Sequence, residues 1–335
     1  MASARPRTKG AAVEAIDLNE VLQGTIGVVF SRDRAMQLDA TLRSLVRHCS
    51  DLSLPDLHVL YAASSPRFRR QYLALAQQWQ EYAPVSFHEE HQFRRDLLRI
   101  VGIPAPSWRE MRWLPGVRGR KPRAAAGWQY VLFLVDDNIF VRTFSLGRAL
   151  QSLSDNPHAV GFSLRLGRNT TECYPLSRPQ ALPPFTRVGD DVLAFDWTRA
   201  ECDFGYPLEL SSSIYRSDTV APLLRKEAYS SPNTLESRLS AVSARWKAAG
   251  PHSQLLCFER SVAFCNAINK VQTTYDNRSG ESPSLTTDAL ADSFDAGMRI
   301  DIDAFSGFTP DACHCEVPLT LTRPASDKDG PPSRP

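Results

Sequence analysis

The sequence predicts one α/β domain with a Rossmann-like, mostly parallel central sheet flanked by helices. Short apolar, β-branched runs alternate along the chain with segments whose apolar residues recur at helical spacing. This alternation favours parallel strands joined by right-handed helical crossovers. The 335 residues are enough for one large α/β domain. The strongest apolar run ends directly in acidic residues, as expected where a strand reaches the ligand-binding edge of an open sheet.

The first strand is predicted over residues 25–30, a short, mainly apolar and β-branched run between Gly24 and Ser31. Such a run is typical of a strand that is buried on both faces. The helix that follows separates its apolar from its charged residues. Its apolar residues are Leu38, Leu42, Leu45 and Val46.

The strand–helix pattern continues to residue 100. Strands are predicted over residues 57–61 and 85–87, and a further helix over 93–100. A helix between the two strands has on one face Phe68, Tyr72, Leu75 and Trp79. Residues 102–127 lack periodicity and are rich in Pro, Gly and Arg, which predicts a long loop. Its basic run, 118–123, is interpreted either as a lid over an anionic ligand or as a solvated charge run.

The strongest predicted strand covers residues 130–135, and Asp136-Asp137-Asn138 follows it at once. A helical face then contains Leu146, Leu150 and Leu153. Further strands are predicted over residues 159–164, 192–195 and 211–215. A last helix, beginning near Thr234, has on one face Leu235, Leu239, Val242 and Trp246.

Composition excludes several classes of protein. The net charge of +2 argues against a chain-wide surface for nucleic acid or anionic membrane. No apolar run approaches the roughly 20 residues of a membrane helix, and the N-terminus lacks the apolar core of a secretory signal. Seven cysteines without a Cys-x-x-Cys motif favour reduced thiols, so we expect a cytoplasmic protein. The predicted domain spans 23–318, between a partly disordered extension (1–22) and a disordered tail (319–335).

The acidic motif is the strongest indication of chemistry. Adjacent acids after a buried strand are costly unless a cation or strong hydrogen-bond donors compensate them. Mg²⁺ or Mn²⁺, completed by water and substrate phosphates, is a natural partner for such oxygens. The alternative is a turn with a helix cap. The apolar strand before the motif and Ile139-Phe140 after it make a surface turn less favoured.

Three segments together resemble the GT-A class of glycosyltransferases: Ser31-Arg32-Asp33-Arg34, Asp136-Asp137-Asn138 and Pro232–Glu236. Arg165-Leu166-Gly167 adds a resemblance to bacterial family-2-like enzymes of that class. The resemblance spans Gly24 to Glu316. It implies transfer of a sugar from a nucleoside-diphosphate sugar to a hydroxyl of a saccharide or glycolipid, in polysaccharide or glycoconjugate synthesis.

The resemblance also implies roles for individual residues. A divalent metal, Mn²⁺ or Mg²⁺, is expected at Asp136, Asn138 and His314. Many relatives have Asp where this chain has Asn138, so weaker or water-mediated metal binding is expected here. The residues expected to bind the donor are Ser31, Arg32, Arg34, Ser64, Asp136, Asp137 and Arg165.

Glu236 lies where relatives place the acid that faces the acceptor hydroxyl, which predicts a general base. Asp203 is a rival base, and Tyr206 and Glu209 are expected on the acceptor side. Glu236 could instead be a residue favoured near a helix N-terminus. His314 could instead be a buried structural residue, whereas its neighbouring cysteines lack usual zinc spacing.

Two other functions stay open at this point. A nucleotidyltransferase also uses acidic residues and a metal, but usually has a Gly-rich loop after the first strand, and residues 31–36 contain no Gly. A non-catalytic module that binds nucleotide sugars is the second alternative. The sugar, the base, the acceptor, the stereochemistry and the oligomeric state are not predicted.

Overall fold

The computed structural model describes residues 24–51, 57–80, 85–104, 128–249, 252–271, 278–280 and 282–323. The strands of these residues are, in chain order, β1 (Thr25–Arg32), β2 (Leu57–Ala62), β3 (Val85–Glu89), β4 (Tyr130–Val135), β5 (Asn138–Phe140), β6 (Ala159–Ser163), β7 (Glu172–Cys173), β8 (Arg178–Pro179), β9 (Phe185–Arg187), β10 (Val192–Asp196), β11 (Ser213–Arg216), β12 (Gln254–Phe258), β13 (Ala263–Asn266), β14 (Arg299–Ile300), β15 (His314–Cys315) and β16 (Leu321–Thr322). The α-helices are α1 (Ala35–His48), α2 (Pro66–Gln80), α3 (Phe93–Ile100), α4 (Leu146–Asp155), α5 (Ser217–Lys226), α6 (Pro232–Ala249) and α7 (Thr287–Asp295).

The central sheet has the strand order β3-β2-β1-β4-β11-β6-β12-β10-β9 among the described residues. The adjacent strands β3, β2, β1 and β4 run parallel to one another, and β6 runs parallel to β12. The other neighbouring pairs are antiparallel. The predicted α/β class is confirmed. The sheet is mixed and only partly parallel, with its parallel pairs concentrated in the N-terminal half of the chain.

Helices cover both faces of this sheet because successive strand residues point to opposite sides. Val29 of β1 packs with the apolar residues of α1, α2, α4 and α7. Val28 and Phe30 pack on the other side with those of α3, α5 and α6. The core is therefore divided into two layers, with the sheet between them.

A smaller sheet, β15-β13-β5, lies directly after the acidic strand end. Antiparallel pairing joins β5 to β13, and β13 pairs parallel with β15. The backbone N–H of Asn266 also donates to the carbonyl of Asp137 at 2.8 Å. This sheet brings residues 263–270 and His314 to the acidic motif.

The predicted strands and helices up to residue 163 are present, and α3 and β4 have the predicted bounds. Strand β16 lies inside the predicted tail and pairs with β14, so this part of the tail belongs to the folded chain. The extension 1–22 and the basic run 118–123 lie outside the described residues. None of the described helices is long and apolar enough to cross a membrane.

Candidate functional site

A cavity of about 330 Å³ opens where β1 and β4 end. From β1 the chain continues to β2 and β3 on one side, whereas β4 lies on the other. Such a reversal of strand order leaves a crevice at the carboxyl ends of parallel strands, and open α/β sheets bind ligands there. The predicted site residues that line this cavity are Ser31, Arg32, Arg34, Asp136, Asp137, Glu236 and His314.

Asp136 is 4% exposed and is held by the last two residues of β1. One carboxylate oxygen accepts from Ser31 Oγ at 2.9 Å and from the Arg32 backbone N–H at 3.1 Å. Burial raises the pKa of Asp136, whereas the Arg34 guanidinium favours its charged form. These donors fix Asp136 at the floor of the cavity.

Arg34 connects both acids to the opposite wall of the cavity. Its Nη1 lies 3.1 Å from an Asp136 oxygen and 3.3 Å from an Asp137 oxygen. Its Nη2 donates to the Asn269 carbonyl at 2.5 Å. Burial disfavours the guanidinium charge, but the two acids outweigh this and raise the pKa of Arg34. Arg34 was predicted to bind the donor; in the structure it bridges the acidic pair.

Asn138 does not have the geometry predicted for a metal ligand. Its side chain is fully buried, and Oδ1 accepts from the Val135 N–H at 2.9 Å. Its Nδ2 donates to the Ser211 carbonyl at 2.9 Å and to Cys265 Sγ at 3.2 Å. The amide therefore joins β4 to neighbouring segments, because an amide that carries both donors and acceptors satisfies several buried partners at once.

Arg165 and Glu209 form a buried ion pair beneath the cavity, with 2.9 Å between Nη2 and Oε2. Glu209 also accepts from the Ser213 hydroxyl and the Ser211 N–H. Neither residue lines the cavity, so the predicted donor role of Arg165 and acceptor role of Glu209 are not supported by its geometry. Their side chains are engaged with other parts of the chain instead.

His314 lines the cavity and contacts Arg165, whose Nη1 lies 3.3 Å from His314 Nε2. Because a guanidinium can only donate, Nε2 accepts and the ring proton lies on Nδ1. Burial and the nearby Arg165 charge lower the pKa of His314 to about 3. Coordination through Nε2 would displace Arg165, which does not fit the predicted role of His314 as a metal ligand.

Glu236 lies near the N-terminus of α6 and faces the same cavity as the acidic pair. One oxygen accepts from the Leu210 N–H at 3.3 Å. Burial and the charge of Glu209 raise the pKa of Glu236 to about 7. A carboxylate with that pKa is suited to accept a proton near neutral pH.

Besides Asn138, Arg165 and Glu209, three more predicted residues lie outside the lining of this cavity: Ser64, Asp203 and Tyr206. The backbone of Ser64 donates to Asp33 and so stabilises the turn after β1. Asp203 accepts from Gln180 Nε2 at 3.2 Å, and its own N–H donates to Gln180 Oε1. Of the two predicted bases, Glu236 lines this cavity and Asp203 does not.

Several cavity residues were not predicted: Glu90, Asn269, Lys270 and Arg278. Glu90 follows β3 and shares the edge of β1 and β4, so its place after a predicted strand was the available signal. The other three follow β13, a short strand that the sequence pattern did not reveal.

The predicted metal ligands do not fit a divalent cation as they are arranged. Arg34 donates a hydrogen bond to Asp136, and the Val135 backbone N–H donates to Asn138. Arg165 donates to His314. Asp137 Oδ1 is buried and has no hydrogen-bond partner in the described part of the chain. Among the described residues, no group of three or more His, Cys, Asp or Glu side chains is arranged to hold a metal ion.

No protein-family profile matches the chain. Over 274 residues it is 24% identical to the bifunctional glycosyltransferase pgtA of Dictyostelium discoideum. The match covers 75% of this chain and 32% of that protein, so the chain spans about a third of its relative.

Solved structures of S. aureus TarS are also similar to the chain. One has a TM-score of 0.43 and 12% identity, covering 72% of this chain and 36% of that one. Another, TarS 1–349 in complex with UDP-GlcNAc, has a TM-score of 0.41 and 12% identity, covering 71% and 57%. The match to pgtA confirms the predicted resemblance: this chain is similar in sequence to a glycosyltransferase over three quarters of its length.

Proposed function

We propose that the protein is a GT-A-type glycosyltransferase that transfers a sugar from a nucleoside-diphosphate sugar to a hydroxyl acceptor. The observation that carries this proposal is the placement of Glu236 in the same cavity as Asp136 and Asp137, at the point where strand order reverses. The sequence similarity to a glycosyltransferase supports it. The cavity volume lies at the lower end of the range for small-molecule sites.

The donor is proposed to lie along the turn after β1. Arg32, Lys270 and Arg278 line the cavity and supply positive charge for a diphosphate. The Asp137 side chain lines the cavity and is 18% exposed, so we propose that it accepts a hydrogen bond from a donor hydroxyl. Stabilising the charge that develops on the leaving diphosphate is the main catalytic contribution expected of the arginines.

Glu236 is proposed to act as general base on the acceptor, which we infer to be a saccharide or glycolipid. In an inverting reaction, the acceptor hydroxyl proton passes to the Glu236 carboxylate and the acceptor oxygen bonds to the anomeric carbon. The bond from that carbon to the diphosphate oxygen breaks, and the nucleoside diphosphate leaves with the electron pair. A pKa of about 7 lets Glu236 accept the proton and release it again near neutral pH.

The test is Glu236→Gln, which keeps the shape of the side chain and removes its basicity. We expect kcat to fall about 10²–10⁴-fold while the Kd of the nucleoside diphosphate stays the same. In the wild type, kcat/KM should rise with pH through about 7, where Glu236 loses its proton. The matched control is Glu201→Gln, at a side chain that is 82% exposed and pairs weakly with Arg178 at 3.7 Å.

The products distinguish this function from its alternatives. Release of a nucleoside diphosphate supports sugar transfer, whereas release of pyrophosphate would identify a nucleotidyltransferase. Tight nucleotide binding without turnover on a panel of saccharide and glycolipid acceptors would identify a binding module. Unchanged turnover of Glu236→Gln would remove Glu236 from the mechanism.

A further inference from the structure

Asp136 and Asp137, in the proposed donor site, already pair with a cation that belongs to the chain, the Arg34 guanidinium. The nearest Arg34 nitrogen lies 3.1 Å from Asp136 and 3.3 Å from Asp137. A metal that bridged the two carboxylates would need the position that this nitrogen occupies. The Arg34 side chain is 8% exposed, and its second terminal nitrogen donates to the Asn269 carbonyl.

The contacts around Arg34 hold it in this position. Its backbone N–H donates to the Tyr72 hydroxyl at 3.0 Å, and the same hydroxyl contacts Ser31 Oγ at 2.6 Å. The Asn269 side chain accepts from Gln37 Nε2 at 3.0 Å, which orients the segment that binds the guanidinium. Residues from α1, α2 and the segment after β13 thus converge on one arginine.

We propose that Arg34 is the built-in counter-cation of Asp136 and Asp137, and that the cavity binds a nucleoside diphosphate without a divalent metal. Removing the cation of a buried ion pair leaves an uncompensated negative charge. A free divalent cation is then the competing partner for the two carboxylates. Two carboxylates next to each other need such compensation, and Arg34 provides it. The claim that a nucleoside diphosphate binds without a metal rests on the proposed function. The claim that Arg34 is the counter-cation of the two acids does not.

The first experiment measures Mn²⁺ binding without any nucleotide. The full-length chain is freed of metal with EDTA and titrated with MnCl₂, and free Mn²⁺ is measured by electron paramagnetic resonance. We expect no saturable binding to the wild type. Arg34→Met should gain Mn²⁺ binding, and adding Asp137→Asn to that variant should remove it. Arg148→Met is the matched control, because Arg148 forms an exposed ion pair with Asp191 at 2.9 Å.

Arg34→Met leaves two buried acids uncompensated, so its folding is checked by near-ultraviolet circular dichroism. Arg34→Lys keeps the positive charge and is expected not to bind Mn²⁺. The wild-type titration decides the question even if neither variant folds. Saturable Mn²⁺ binding by the wild type that Asp137→Asn abolishes would overturn the role of Arg34.

The second experiment is calorimetry of UDP, GDP, CDP and dTDP binding to the wild type in EDTA and in Mn²⁺. We expect the nucleotide that binds to have the same Kd in both, within about twofold. A Kd that is about tenfold or more weaker in EDTA would overturn metal-independent binding. If no nucleotide binds in either buffer, the proposed function fails, and the Mn²⁺ titration still decides what Arg34 does.

Discussion

The side chains at the end of β4 are held by hydrogen bonds that other parts of the chain supply. Asp136 accepts from Ser31 and from the Arg32 backbone, and Arg34 pairs with both Asp136 and Asp137. Charge-assisted bonds of this kind are shorter and stronger than neutral ones, and they keep a carboxylate in one orientation. The site is therefore preorganised before any ligand enters it.

Asn138 allows a direct test of its structural role. Asn138→Asp removes the two N–H donors to Ser211 and Cys265 and places a charge where the side chain is fully buried. We expect the free energy of unfolding to fall by about 3 kcal/mol, measured by urea denaturation. Asn156→Asp, at a partly exposed position at the end of α4, should cost less than about 1 kcal/mol. A stable Asn138→Asp variant with new Mn²⁺ binding would instead support the predicted metal ligand.

At the scale of elements, the close pairing of β6 and β11 connects the sheet to the ion pair beneath the cavity. Gly161 of β6 lies opposite Tyr215 of β11. The Tyr215 hydroxyl donates to the carbonyls of Pro207 and Glu209 at 2.9 and 2.7 Å. The missing side chain at position 161 thus leaves room for the ring that anchors the Glu209 segment.

Gly161→Ala should disturb this contact. A methyl group at position 161 would lie 2.6 Å from a Tyr215 ring carbon and 2.8 Å from the Ile214 carbonyl. We expect a loss of about 1–3 kcal/mol in the free energy of unfolding because the backbone cannot move away easily. Gly189→Ala is the control, since its nearest contact is a Val192 side chain at 3.3 Å. Equal stability of the two variants in urea would contradict the close approach.

Helices and strands with strong periodicity could be predicted with nearly correct bounds. Residues 93–100 and 130–135 were predicted as α3 and β4 and are found there. Strand β13 was not predicted, because it is short and its pairing partners, β5 and β15, are distant in sequence. Local pattern carries no information about such partners.

At the scale of the whole molecule, Glu236 and His314 make stability depend on pH with opposite signs. The pKa of Glu236 rises from 4.5 to about 7 on folding, so the folded state keeps a proton that the unfolded state has released. The pKa of His314 falls from 6.5 to about 3, so the unfolded state binds a proton that the folded state lacks. The state that binds more protons gains stability as pH falls.

Two variants should separate these contributions. Relative to Glu236→Gln, the wild type should lose stability as pH rises from 4.5 to about 7. Relative to His314→Gln, it should lose stability as pH falls from 6.5 towards 3. Urea unfolding at pH intervals measures both differences. If the free energy of unfolding of both variants depended on pH in the same way as that of the wild type, both pKa shifts would be contradicted.

The sequence alone was sufficient to predict the α/β class and the acidic strand end at the sheet edge. These features follow from local periodicity and from the rule that ligands bind beyond the carboxyl ends of parallel strands. The position of Glu236 was predicted from the resemblance to GT-A glycosyltransferases. The partners of each polar side chain required the tertiary structure. Arg34 reaches Asp136 across 102 positions, and Arg165 reaches His314 across 149. From the sequence, adjacent acids need a cation or strong hydrogen-bond donors, and Mg²⁺ or Mn²⁺ was the predicted partner. Only packing in three dimensions brings the Arg34 guanidinium beside both acids.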